Sequence, residues 1–199
     1  DIAGKPMTPW QQGELDIHFI ASWTGESIFM VMPDGTRMII DAASDISTDN
    51  NPLIRARYEA LIPGYTTSIR GSQIISDYIT HFMAPTGRTG IDYALVSHFH
   101  NDHMGSYLST ARGGFITTKH PYDYKGSWTI NGITEIMENF EVGKLVDRAY
   151  DADPAKAYTY PGLLYRKDQY TCPGYSGAEV TPNGFMSIPM MTNYRNMVN

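Results

Sequence analysis

The sequence predicts an α+β fold built on a mixed sheet, and three observations carry that reading. The chain opens with short apolar and alternating runs joined by turn residues, the pattern of a strand meander. A stretch of helical spacing then leads directly into another short apolar strand, which makes a βαβ-like passage. One more helix and one more strand follow further on.

The elements follow in order. Residues 1–14 read as an N-terminal extension and 15–199 as one domain, with no internal repeat, low-complexity tract or domain linker. From Leu15 to Ile20 the apolar Leu15, Ile17 and Phe19 alternate with Asp16 and His18, the period of a half-buried strand. Ser27 to Met32 is nearly all apolar, Pro33-Asp34-Gly35 is a turn signal, and Arg37 to Ala42 resumes with Met38, Ile39 and Ile40. Together they predict a β-hairpin ending at Asp41. Ile74, Ile75, Tyr78, Ile79, Phe82 and Met83 recur at helical spacing until Pro85 and Gly87 stop them, and Asp92 to Ser97 forms the next strand. Ile133, Ile136, Met137 and Phe140 mark a helix and Lys144 to Ala149 a strand. From Asp151 to Pro189, prolines, glycines and tyrosines recur without periodicity, so this part reads as a long packed loop region or an insertion.

Bulk properties narrow the function. With 199 residues and 42% hydrophobic content the chain can bury a real core. Its formal net charge of −6 gives no overall basic field, so charge leaves a nucleic-acid partner open without indicating one. The single cysteine, Cys172, makes no intrachain disulfide and no thiolate cage, so a metal here must be held by nitrogen and oxygen. With no histidine near it in sequence, Cys172 reads as inert rather than as a nucleophile. No apolar run approaches the roughly 20 residues that span a bilayer.

The densest chemical signal lies just after the strand that ends near Ser97. Three of the six histidines and an aspartate fall within His98-Phe99-His100-Asn101-Asp102-His103. Imidazole and carboxylate are the ligands that zinc, iron and manganese accept, and a loop leaving a strand end lets neighbouring side chains converge. His98 and His100, two apart, can bend toward one metal while Asp102 and His103 turn toward a second.

His98-x-His100-x-Asp102-His103 resembles the signature of the metallo-β-lactamase fold superfamily. Ile17-His18-Phe19-Ile20, Gly25-Glu26-Ser27-Ile28-Phe29, Pro33-Asp34-Gly35 and Ile39-Ile40-Asp41 resemble the opening strands of its branch of competence-related DNA-uptake hydrolases. Trp23-Thr24, Glu26 and Ala43 stand where that branch has Gly-Gln, Asp and Gly. The resemblance covers about Leu15 to Tyr150. It implies an αββα sandwich, of which this chain would supply the first half plus a loop-rich C-terminal segment. It implies two zinc ions in the full-length family, absent or partial here, with His98 and His100 on the first and Asp102 and His103 on the second. Asp102 would also orient the attacking water. The metals would activate water against an ester or phosphodiester, of a small molecule or a nucleic acid. Asp41 would support the loop rather than ligate, a strand-end turn aspartate being the equal alternative.

The family's remaining ligands, a third histidine on the first metal, a bridging aspartate and another histidine, are not supplied after His103. His120 follows too soon and reads as a surface histidine, Asp147 resembles a strand residue of the first half, and Asp151, Asp153 and Asp168 lack a following histidine. His18 reads as a packed or hydrogen-bonded strand residue rather than a ligand, and His81 as solvated. Tyr158, Tyr160, Tyr165, Tyr170 and Tyr175 read as loop packing rather than as a binding surface. Two functions therefore stand: a metallo-hydrolase when full length, this chain alone being expected to be inactive, or a non-catalytic or truncated module of that fold with a binding role. The chain starts at Asp1, so its natural start is expected to have been removed by signal processing or cloning. With the branch resemblance, this implies an extracytoplasmic setting. Thr192 or Asn193 would cap a helix through Tyr194, Met197 and Val198 that is cut off near Asn199. An exposed sheet face covered by a second copy of the chain is the other expectation.

Overall fold

The computed structural model describes residues 7–20, 25–43, 71–105, 115–116, 129–147, 194 and 197. Strands β1 (Asp16–Phe19), β2 (Ile28–Val31) and β3 (Arg37–Ile40) form an antiparallel meander. The helix α1 (Gly71–Met83) and a 3-10 turn (Ala84–Thr86) precede β4 (Ile91–Leu95), which lies parallel to β3. The short helix α2 (Asn101–Met104) follows, then a two-stranded antiparallel ribbon of β5 (Phe115–Ile116) and β6 (Thr129–Ile130). Helix α3 (Ile133–Asn139) leads into β7 (Val142–Val146), parallel to β4. The sheet order β1-β2-β3-β4-β7 makes the fold α+β with a five-stranded mixed sheet.

These elements form for local reasons. Between β2 and β3 the chain reverses at Asp34-Gly35, where Asp34 Oδ1 accepts the Thr36 amide at 2.9 Å and Gly35 takes a φ of 83°. That conformation is open to glycine and strained for most residues. Helix α1 buries Ile75, Ile79 and Met83 on one stripe, and Gly87 ends the 3-10 turn after it in the left-handed conformation. Burial of each such side chain contributes about 1.5–3 kcal/mol.

One face of the sheet carries the core. His18, Phe29, Ile39, Ala94 and Leu145 form a row across the five strands, and Ile75, Ile79, Ile133 and Ile136 of the helices pack in the same cluster as its apolar members. At the edge of this face Arg37, buried, sends its backbone N–H, Nε and Nη2 to Asp92 Oδ2 at 2.7, 3.0 and 2.8 Å. The guanidinium and amide donors outweigh the cost of partial burial and hold the Asp92 carboxyl below its usual range.

The other face is apolar too. Ile17, Met30, Met38, Tyr93 and Lys144 form one row, and Phe19, Ile28, Ile40, Leu95 and Val146 the next. Here lies a difference from the alternation of the first strand. His18, 3% exposed, is the residue of β1 turned inward, whereas Ile17 and Phe19 are 47% and 78% exposed. Period two identifies a strand but does not say which of its faces meets the helices. His18 is accommodated because Tyr78, Phe82 and Phe29 surround its ring at centroid distances of 5.6, 4.6 and 5.9 Å, and Tyr78 Oη lies 3.1 Å from Nδ1.

His81 is solvent-exposed, as its position on the helix suggested. Among the described residues no helix is long and apolar enough to cross a membrane. His120, Cys172, the segment from Asp151 to Pro189 and its tyrosines lie outside the described residues, as does the helix expected near the C-terminus apart from Tyr194 and Met197, both helical and buried.

Candidate metal centre

The site is assembled where three strand ends meet. The chain leaves β3 at Asp41, β4 runs out through Val96 and Ser97 into the histidines, and the segment before β2 passes alongside at Gly25-Glu26. Backbone hydrogen bonds tie these pieces together: Asp41 N–H donates to Leu95 O at 2.8 Å, Ala42 N–H to His103 O at 2.8 Å, and Glu26 N–H to Asp102 O at 3.0 Å. The loop closes with one helical turn, in which His103 and Met104 N–H both reach His100 O. Glycine is required at the closest approach. A Cβ on Gly25, at φ 104°, would stand 1.8 Å from Asp102 O.

Asp41 sits at the centre of this junction and is 1% exposed. Its φ of 57° is the only positive value among described non-glycine residues, and such a conformation costs on the order of 1 kcal/mol. The surroundings hold it there. Oδ1 accepts the Ser97 amide at 2.8 Å, and Oδ2 accepts the Ser97 hydroxyl at 2.6 Å and His103 Nδ1–H at 2.8 Å.

Ligand atoms of His98, His100 and Asp102 lie within 4.8 Å of one another, and all three residues are half-buried. A second grouping of the same tightness joins Glu26, Asp41 and His103. The structure thus sets His98, His100 and Asp102 together and places His103 on Asp41, although His103 Nε2 still lies 3.8 Å from Asp102 Oδ2. The rings of His98 and His103 are 3.8 Å apart between centroids, those of His98 and His100 4.6 Å.

Electrostatics separate the histidines. Burial, reinforced by the neighbouring imidazoles of His103 and His100, pushes His98 down to about 4 against the pull of Asp41 and Asp102. His98 is therefore neutral at neutral pH, the form that can donate a lone pair. For His103 burial also opposes charge, but the Asp41 hydrogen bond and the carboxylates of Asp41, Asp102 and Glu26 outweigh it and raise its pKa.

The residues fit a metal ion in two respects. Two imidazoles and a carboxylate are a borderline nitrogen and oxygen donor set. Asp102 Oδ1 is buried with no hydrogen-bond partner among the described residues, a costly condition for a carboxylate oxygen that a cation would relieve. The Glu26, Asp41 and His103 grouping fits less well, because Asp41 and His103 already satisfy each other. Reasoning from the sequence did not single out Ser97 or Gly25 as parts of the site. The signal for Ser97 was its place beside His98; for Gly25 there was none short of the fold.

Comparisons of the chain with protein-family models, with curated proteins and with solved structures found no match.

Proposed function

We propose that this chain carries the metal-binding half of a metal-dependent hydrolase of the metallo-β-lactamase superfamily, with an αββα sandwich as its complete fold. The observation that carries the reading is the convergence of His98, His100 and Asp102, with an unbonded buried oxygen on Asp102. The mixed sheet with helices on one face and two apolar rows on the other supports the sandwich, since a second sheet needs such a face to pack on. A bound divalent metal, zinc in this proposal, supplies Lewis acidity toward an ester or phosphodiester oxygen and acidifies water. The chain's own residues do the rest. His98 offers a neutral nitrogen and His100 a second imidazole, Asp102 offers the carboxylate that would ligate and orient water, and Asp41 with the backbone of Gly25 and Glu26 holds the loop in place.

A non-catalytic binding role is the second reading. It is favoured by the sequence after His103, where His120 is the one histidine and the further ligands that the resemblance implies are not supplied. One experiment separates the two. The full-length protein is loaded with zinc and dialysed, its metal is measured by mass spectrometry, and hydrolysis of a nitrophenyl ester and of bis(nitrophenyl) phosphate is followed for wild type and His98→Ala. Bound zinc with turnover that His98→Ala abolishes is the expected result. Bound zinc without turnover favours the binding role, and no retained zinc overturns both.

A further inference from the structure

We infer that Ser97 is a positioning residue that passes the hydrogen-bonding direction of Asp41 on to His98 and so fixes which nitrogen of His98 is free to bind a metal. The inference rests on the proposed metal reading for its purpose, but its chemistry is that of the chain alone. An aspartate carboxylate only accepts hydrogen bonds, and Ser97 Oγ lies 2.6 Å from Asp41 Oδ2. The single hydroxyl proton must therefore point at the carboxylate. Were it to point elsewhere, two oxygens, one of them ionic, would face each other at that distance with no proton between them.

Once the proton is committed, Ser97 Oγ has only lone pairs left to offer. His98 Nδ1 is 3.1 Å away, so the proton in that contact comes from the imidazole. A neutral imidazole carries one N–H, and with Nδ1 protonated the lone pair is on Nε2. His103 Nδ1 is held as a donor directly, being 2.8 Å from Asp41 Oδ2 and 3.4 Å from Ser97 Oγ. One buried carboxylate thus sets two imidazoles alike, one by contact and one through a serine. The relay is separable from the backbone, because the Ser97 amide binds Asp41 Oδ1 whatever the side chain is.

The test uses histidine labelled with nitrogen-15 in the metal-stripped chain at neutral pH, read by long-range proton–nitrogen correlation. His98 of the wild type is expected in the form protonated at Nδ1. Ser97→Ala should move it toward a mixture of tautomers, and Ser97→Thr, which keeps the hydroxyl, should restore it. In a competition titration with a zinc chelator, Ser97→Ala should bind about 10- to 100-fold more weakly, the usual effect of losing a partner of a ligating histidine, and Ser97→Thr close to wild type. A wild-type His98 protonated at Nε2 overturns the inference, as does Ser97→Ala with an unchanged tautomer. If Ser97→Ala does not fold, the wild-type spectrum decides alone. If the wild type takes up no zinc, the metal reading fails while the spectrum still decides the relay.

Discussion

His18 and His103 are both largely withdrawn from water, yet their surroundings drive them in opposite directions. Around His18 stand the rings of Phe29, Tyr78 and Phe82, and the nearest carboxylate oxygen, Asp16 Oδ2, is 3.9 Å from Nε2. Burial dominates there and lowers its pKa, with Asp16 opposing only in part. Around His103 the same burial is outweighed by a carboxylate at hydrogen-bond distance, and the pKa rises. What separates these two histidines is therefore about an ångström of carboxylate placement, together with whether the ring's neighbours are aromatic or ionisable.

The strongest way to break the contrast is to remove Asp41. Asp41→Ala leaves the Ser97 amide, the Ser97 hydroxyl and His103 Nδ1 without their acceptor in a buried place. Unsatisfied groups of this kind lead us to expect a loss of about 3 kcal/mol in urea unfolding. Asp41→Asn keeps one acceptor oxygen and tolerates the left-handed backbone, so it should lose roughly half as much. A loss under about 1 kcal/mol for the alanine variant would show that the junction does not depend on the carboxylate.

A second variant acts on the loop without touching any side chain of the site. Gly25→Ala adds one methyl group where Asp102 O already occupies the space, at a φ that side chains rarely adopt. We expect about 2 kcal/mol of destabilisation, of the size seen for overpacking combined with backbone strain, and weaker zinc binding because Asp102 must shift. Wild-type zinc affinity in a folded Gly25→Ala chain would mean that this approach does not position Asp102.

Much of this architecture was readable from the order of residues, for identifiable reasons. The stripe Ile75, Ile79 and Met83 and the turn Pro33-Asp34-Gly35 are local signals, and the structure places helix and hairpin where they predict. The ligand types crowded between His98 and His103 were legible for the same reason, being adjacent in sequence. What could not be read was relational. Asp41 meets Ser97 across 56 residues, and nothing near either position announces the meeting. The inward face of β1 was hidden because alternation is symmetric: the sheet has apolar rows on both sides, so Ile17 and Phe19 could fall on either. Two of the three aromatic rings that make a berth for His18, Tyr78 and Phe82, come from α1, some sixty positions later.

The smallest effect, and the sharpest for the comparison, concerns His18 itself. Phenylalanine matches the aromatic surroundings of Phe29, Tyr78 and Phe82 and carries no polar nitrogen, while Nε2 of His18 is buried with no hydrogen-bond partner among the described residues. His18→Phe gives up the Tyr78 contact and relieves that unbonded nitrogen, so at pH 7.5 stability should change by no more than about 1 kcal/mol. Its signature is in the pH dependence. Because the folded pKa of His18 lies below the ordinary 6.5, the unfolded chain takes up this proton first as the pH falls. The contribution of neutral His18 is thus fully present above 6.5 and is lost as the pH falls from there toward the lowered folded value. Urea midpoints of the metal-stripped wild type should decline over that interval, and those of His18→Phe should decline less. If the two profiles run parallel, His18 takes no part in the acid response, and the division between the two histidines must then rest on His103 alone.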